Sequence, residues 1–319
     1  MFESIVALMR KYNDIVVYRH SRPDGDAVGS QSGLSQIIKA NWPDKNVICV
    51  GDSAGRYSFI NGSATSCVDQ DMLKRSLAVI LDCGGENMVS EDSWKNAAES
   101  ARIDHHLFSG QFAETEVIDS SFESCCGMIA FLAFENRLEV PQSAAKAIYT
   151  GMVTDSGRFR YDNVNSRTLA LASKLLETGF ETDDIYMNLY ADTLENLKRR
   201  SAFISKIQTS ANNVAYVYTD RKQAEEMGMD AFSICRGLVN TMADLQGVHI
   251  WVNFTEDGGP EKVLCEIRAS DCNINPIAVK YGGGGHAKAS GATVDSKEKA
   301  MAMLADLDEM SKEINNGNK

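Results

Sequence analysis

Over residues 1–190 short apolar runs alternate with longer stretches of helical spacing. Ile15–Tyr18, Val47–Val50 and Leu77–Leu81 read as short strands, and a fourth ends near Ile103. Helical spacing covers Ala27–Trp42, Gly127–Arg137, Ser143–Val153 and Arg167–Glu177, and Phe2, Ile5, Val6 and Met9 share one helical face at the start. Alternation of this kind predicts a mainly parallel sheet flanked by helices, an α/β unit. Asp184–Gln208 predicts one or two helices, with a polar stretch from Glu195 to Arg200 read as a solvated connector. Beyond Ala211 the pattern changes. Val214–Tyr218 alternates as a strand, and Gly247–Phe254 and Val263–Ala269 predict a hairpin around Glu256–Pro260, where the turn chemistry is strong. The tail end of the chain is therefore expected to be a smaller α+β domain on a mixed sheet.

Length and composition fit that division. A chain of 319 residues suits two domains, and 44% hydrophobic with 24% charged residues is ordinary globular composition. The expected partition is 1–190, a helical connector over 191–210, and 211–319. No apolar run approaches the roughly 20 residues that cross a bilayer, and the start lacks a secretory pattern. The expected location is the cytoplasm, with no membrane partner. Eight cysteines include no C-x-x-C pair, so they are expected to be reduced thiols that pack as small hydrophobes. Asn61-Gly62-Ser63 and Asn253-Phe254-Thr255 match the glycosylation pattern, which has no meaning in a cytoplasmic chain. His249, in mid-strand, reads as structural.

The net charge of −12 excludes a protein that coats long nucleic acid, which needs a basic stripe. Any nucleic-acid substrate is expected to be short and held by a few local cations. The absence of a G-x-x-x-x-G-K-[ST] motif argues against phosphoryl transfer from ATP.

Four clusters of Asp and His carry the chemistry. His20-Ser21-Arg22-Pro23-Asp24-Gly25-Asp26 follows a strand and precedes a helix; alone, it reads equally well as a turn with a capping Asp. Asp82 ends the run Leu77–Leu81, and Asp104-His105-His106 ends the strand through Ile103. Asp155 closes a helical stretch in Thr154-Asp155-Ser156-Gly157. Each has an innocent reading by itself as a loop start, a satisfied histidine or a C-terminal turn. Together they place acidic and imidazole groups at the carboxyl edge of one sheet, where open α/β folds bind ligands. Oxygen and imidazole donors without thiolate suit Mn²⁺. Asp24, Asp26, Asp82 and Asp155 carry four negative charges, which two divalent ions would match. Such a pair would lower the pKa of a shared water and hold phosphate oxygens during in-line displacement.

These motifs resemble the DHH phosphoesterase superfamily, whose name is spelled by Asp104-His105-His106. Gly282-Gly283-Gly284-Gly285-His286 resembles the signature of its DHH-associated C-terminal domain, and length and layout are most similar to the nanoRNase/pAp phosphatase branch. The resemblance implies a catalytic metal-binding domain over 1–190 and a substrate-binding domain over 211–319. It implies two Mn²⁺, with Mg²⁺ or Co²⁺ able to substitute: His20 and Asp24 on one, Asp26, His105 and Asp155 on the other, Asp82 bridging. It gives His106 a role at the scissile phosphate and Asp104 the orientation of a histidine. Substrate contacts fall to Arg268, Ser270, Gly283, Gly284, Gly285 and His286, with Arg158 and Arg160 weaker candidates for the same cleft. The chain departs from the family pattern at Leu107-Phe108, after the triplet, and at Ser124-Cys125-Cys126-Gly127.

The implied function is Mn²⁺-dependent hydrolysis of short oligoribonucleotides to nucleoside monophosphates, extending to the 3′-phosphate of pAp and to linear or cyclic dinucleotides. The alternatives are an inorganic pyrophosphatase or exopolyphosphatase, and a nucleotide-binding sensor that does not hydrolyse. A homodimer is compatible with the sequence, which leaves the oligomeric state open.

Overall fold

A computed structural model describes residues 1–60, 64–65 and 67–317. The chain divides into two units, Met1–Ala191 and Asp192–Lys319. Asn61-Gly62-Ser63, one of the two glycosylation patterns, lies outside the described residues.

The first unit runs α1 (Glu3–Lys11), β1 (Asp14–Tyr18), α2 (Gly25–Asn41), β2 (Asn46–Val50), α3 (Gln70–Leu73), β3 (Leu77–Leu81), β4 (Glu99–Asp104), β5 (Thr115–Ile118), α4 (Cys125–Glu135), α5 (Gln142–Asp155), α6 (Ser166–Leu176) and α7 (Asp183–Tyr190). Its five strands are all parallel, in the order β2-β1-β3-β4-β5. The order reverses between β1 and β3, so their carboxyl ends flank a crevice. Alternation within the strands fills both faces. Ile15, Val17, Leu77 and Val79 join a core with α1, α2, α4 and α5, whereas Val16, Tyr18, Ala78 and Ile80 pack with Met72, Leu73 and Trp94. The expected fold class is the observed one. The strand β5 was not expected, because four half-buried residues give almost no periodicity.

One seam decides how closely the layers approach. Gly25, Gly29 and Gly33 recur every fourth residue on α2 and face α5. A Cβ at Gly29 would lie 2.6 Å from the Ala147 carbonyl oxygen, and one at Gly33 2.3 Å from Ile148 Cγ1. From the other side, a Cβ at Gly151 would come 2.2 Å from Cys126 Sγ. The bare backbones therefore set the distance between Asp26, on α2, and Asp155, the last residue of α5.

The second unit runs α8 (Leu194–Ile204), β6 (Gln208–Thr209), β7 (Val214–Thr219), α9 (Arg221–Met227), α10 (Ala231–Leu238), β8 (Ile250–Glu256), β9 (Val263–Ala269), α11 (Asn275–Lys280), β10 (Gly284–His286), β11 (Ala289–Val294) and α12 (Lys297–Asn315). Its mixed sheet has the order β10-β11-β9-β8-β7-β6, with only β7 and β8 parallel. Residues of α11 and α12 join the core on one face; residues of α9 and α10 join that on the other. The glycine run contributes β10, the sheet edge. Asn253 is fully buried, its Nδ2 donating to the Ile234 and Cys235 carbonyls, so it offers no acceptor for a sugar. All eight cysteines are free, and Cys67 departs from the expectation in being exposed. Among the described residues no helix is long and apolar enough to cross a membrane.

Gly29→Ala is expected to destabilise the protein by about 1–3 kcal/mol, because the obstructing atom is backbone and cannot swing aside. Calorimetry should show a lower Tm. An unchanged Tm would mean that α2 and α5 are not in contact along this seam.

Candidate metal centre

The site grows from three strand ends and two helix ends. After β1 the chain turns at His20, whose backbone is held by Ser21 N donating to Met88 O and Ser90 N to Arg19 O. Arg19 itself is buried, donating to Gln31 Oε1 at 2.8 Å and pairing with Asp52 at 3.2 Å. His20 Nδ1 lies 2.8 Å from the Ser21 carbonyl, which makes Nδ1 the donor and leaves Nε2 as the free nitrogen. That Nε2 is 3.7 Å from Asp24 Oδ1 and 3.6 Å from Asp82 Oδ2. Asp24 also caps α2, accepting from Asp26 N and Ala27 N at 3.0 Å, so the capping reading holds as well.

Asp26 points the other way. Its two oxygens accept from Cys125 N at 2.7 Å and Cys126 N at 2.8 Å, the first amides of α4. A helix N-terminus favours an anion there. His105 Nε2 lies 3.8 Å from Asp26 Oδ2, 3.5 Å from Asp82 Oδ1 and 3.4 Å from Asp155 Oδ2. Asp82 therefore offers Oδ2 to the His20 side and Oδ1 to the His105 side. It is buried with φ of 56°, a left-handed conformation that Asp tolerates at some cost.

Among the described residues three groups could hold a metal ion: His20, Asp24 and Asp82; Asp26, His105 and Asp155; and Asp82, His105 and His106. The donor set fits divalent cations on an observation besides proximity, since buried Asp82 Oδ1 accepts no hydrogen bond. The thiols of Cys125 and Cys126 do not compete as ligands, because burial, with Asp26 nearby, pushes both well above the ordinary thiol range.

The charges record the strain of this assembly. Burial and the neighbouring Asp82 and Asp155 push the Asp26 carboxyl well above its ordinary range. Burial pushes Asp155 up to about 7, Asp82 and Asp24 adding to the effect and His105 opposing it. Burial disfavours charge on both histidines but loses to the carboxylates: Asp24 and Asp82 bring His20 to about 11, and Asp82, Asp26 and Asp155 bring His105 to about 10. Burial would raise Asp82, yet His105 and His20 hold it well below the carboxylate range.

His106 stands apart. Its Nδ1 is 2.7 Å from Asp104 Oδ1, so Asp104 fixes Nδ1 as the donor and turns Nε2 outward. Asp104 is in turn bound by Arg102 Nη2 at 2.6 Å, both side chains being fully buried. Sequence reasoning missed Arg102. The available signal was its i, i+2 spacing from Asp104 on one strand, which puts both on the same face.

The remaining candidates belong to none of the three ligand groups. Arg158 is exposed, 4.7 Å above the Tyr190 ring, and Arg160 is exposed. In the second unit Arg268 Nη1 donates to Glu266 Oε2 at 2.7 Å and Ser270 is exposed. Of the glycine run, Gly283 and Gly285 press on β11, where a Cβ would come 2.0 Å from Gly291 O and 2.6 Å from Ala289 O. Gly284 faces open space, and His286 is exposed.

The chain matches the DHH family, N-terminal domain, over residues 14–152 and the DHHA1 domain over 211–313. It is 33% identical to the bifunctional oligoribonuclease and PAP phosphatase NrnA of Mycoplasma genitalium, covering 95% of each chain. It is 31% identical to the protein of the same name from Bacillus subtilis, over 98% of this chain and 99% of that one. An exopolyphosphatase-related protein from Bacteroides fragilis shares the fold, with a TM-score of 0.80 at 23% identity over 98% of this chain and 96% of the other.

Metal ligands must be deprotonated, whereas His20 and His105 hold protons at neutral pH in the metal-free protein. Adding Mn²⁺ is therefore expected to release protons, and affinity should rise with pH. Titration calorimetry in buffers of different ionisation enthalpy checks this; a heat independent of buffer would contradict the ligand set.

Proposed function

We propose, from the premise that this chain belongs to the DHH family of phosphoesterases, that it is a two-metal hydrolase of short oligoribonucleotides that also removes the 3′-phosphate of pAp. The observation that carries the proposal is the buried Asp82, whose two oxygens face two separate histidine–carboxylate groups. The full-length similarity to two relatives named as oligoribonucleases and PAP phosphatases supports the substrate class.

In this reading His20, Asp24 and Asp82 hold one ion and Asp26, Asp82, His105 and Asp155 the other, both taken to be Mn²⁺, with Mg²⁺ or Co²⁺ able to substitute. When bound, such a pair supplies a nucleophile at neutral pH and neutralises charge on the phosphate oxygens. The chain's own groups do the rest. His106 Nδ1 donates to Asp104 Oδ1, which raises the pKa of His106 and leaves Nε2 to meet the leaving oxygen. Half-exposed His106 is reachable from solvent, whereas Asp104 and Arg102 behind it are sealed off. Arg268 and His286 supply donors for a substrate phosphate, a task to which the planar guanidinium is suited. With a net charge of −12, the protein has little to offer a long polyanion. The reading places the enzyme in the cytoplasm.

Asp82→Asn should lower kcat by at least about 100-fold, more than the 10- to 100-fold typical of residues behind the ligands. Arg268→Ala should instead raise KM by about 10- to 100-fold, the worth of a charge-assisted hydrogen bond. The deciding assay resolves products from pAp, linear and cyclic dinucleotides, longer RNA and pyrophosphate in Mn²⁺. Monophosphates from dinucleotides with a steep fall on long RNA are expected. Turnover confined to pyrophosphate would replace this reading with the pyrophosphatase one.

A further inference from the structure

The turn between β1 and α2 contains a residue that neither the fold nor the ligand groups explain. Arg22 stands two residues after His20 and two before Asp24, so both neighbours belong to one ligand group while Arg22 belongs to none. Its φ is 53°, in the left-handed region that glycine enters freely and a residue with a Cβ enters at a cost. Pro23 follows, and the residue before a proline is pressed toward extended backbone instead. The turn is nevertheless pinned. Arg22 N donates to Asp52 Oδ2 at 2.8 Å, Asp52 Oδ1 pairs with Nη1 of buried Arg19 at 3.2 Å, and Arg19 Nη2 donates to the Asp52 carbonyl at 2.6 Å. A sparsely populated conformation kept in place by its surroundings points to a use for the residue that adopts it.

Nothing in the fold uses the Arg22 side chain. It is exposed and pairs with no carboxylate among the described residues, in a chain where 44 acidic residues outnumber 32 lysines and arginines. Asp52, which holds its backbone, spends its two oxygens on the Arg22 amide and on Arg19. Glycine would fill the turn without strain, so what arginine adds is its guanidinium. Two peptide links separate Arg22 from His20 and from Asp24, which keeps their Cα atoms within about 7.6 Å. The long arginine side chain covers that distance. A cation without a partner beside half-exposed Asp24 draws in an anion that the surrounding carboxylates repel.

We propose that Arg22 binds the third terminal oxygen of a phosphomonoester, and so serves the 3′-phosphate of pAp far more than an internucleotide linkage. The assignment rests on the reading of the chain as a phosphoesterase that accepts both. A monoester presents three terminal oxygens and up to two negative charges. In a diester one of those oxygens carries the second nucleoside, and a single charge remains. The group that faces this third oxygen therefore gains a charge-assisted hydrogen bond from pAp that an internucleotide phosphate cannot give. Arginine suits the place, because its guanidinium stays charged and presents several donors in one plane.

The test compares the full chain with Arg22→Ala, Arg22→Lys and Arg22→Gly in Mn²⁺, on pAp and on a linear dinucleotide. Arg22→Ala should lower kcat/KM for pAp by about 10- to 100-fold, the worth of a charge-assisted hydrogen bond, and for the dinucleotide by less than about threefold. Arg22→Lys should recover part of the loss on pAp, since it keeps the charge without the planar fork. Arg22→Gly should match Arg22→Ala in activity with a Tm no lower than the parent's, because glycine relieves the left-handed backbone. That melting curve separates lost chemistry from a lost fold. A readout without turnover is the affinity for inorganic phosphate, by titration calorimetry with Mn²⁺ present, which Arg22→Ala should weaken about tenfold. The proposal is overturned if Arg22→Ala leaves pAp turnover unchanged, if the dinucleotide suffers equally, or if phosphate affinity does not move. Should the parent turn over neither substrate, the hydrolase reading falls, and the phosphate titration still decides whether Arg22 binds the anion.

Discussion

Mutual repulsion among Asp24, Asp26, Asp82 and Asp155 is the constraint around which the first unit is built. Like charges about 4 Å apart repel by about 4 kcal/mol at an effective dielectric near 20, and here Asp26 and Asp82 are buried while Asp24 and Asp155 remain partly open to solvent. The protein answers part of this with its own groups. The first amides of α4 bind Asp26, and the Nε2 atoms of His20 and His105 sit between carboxylates. What remains, an Asp26 and an Asp155 pushed far up and an Asp82 oxygen without a donor, is the deficit that divalent cations would fill.

A cluster that resists its own formation needs a stiff frame. The glycine seam lets α2 and α5 approach until backbone meets backbone, which fixes Asp26 against Asp155. The buried Arg19 network holds the turn that carries His20, and Arg102 anchors Asp104 and, through it, His106. In each case a buried arginine meets acceptors, Gln31 and Asp52 for Arg19 and Asp104 for Arg102, although Arg102 Nε finds no partner among the described residues. The expensive interactions lie one layer behind the groups that meet solvent.

Much of this was legible in the sequence for a simple reason: the parallel strands are short apolar runs, and His20, Asp82 and the Asp104-His105-His106 triplet each sit at the end of one. Leu77–Leu81 with Asp82, and the strand through Ile103 with Asp104-His105-His106, announce a sheet edge and its chemistry together. The frame was not legible. Arg102 and Arg19 look like ordinary surface cations, and nothing local says that both are buried. The Gly25, Gly29, Gly33 spacing signals close helix packing, but the partner, α5, lies more than a hundred residues away. Likewise the run Gly282–Gly285 suggests a loop, while its role as an edge strand depends on Ala289–Val294, whose small residues carry little β signal.

The two departures from the family pattern differ in physical kind. Cys125 and Cys126 hold Asp26 through backbone amides, which any residue but proline provides, and both side chains are buried, that of Cys126 against the helix seam. At Cys126 packing favours a small side chain, which fits opposite Gly151. Leu107 and Phe108, by contrast, are 81% and 66% exposed immediately after His106. Their loop is not loose, since Ser109 Oγ donates to Gly84 O and Arg102 Nη1 to Gly110 O. A tethered pair of apolar side chains beside the reactive histidine changes what a substrate meets on arrival without changing what holds the ions.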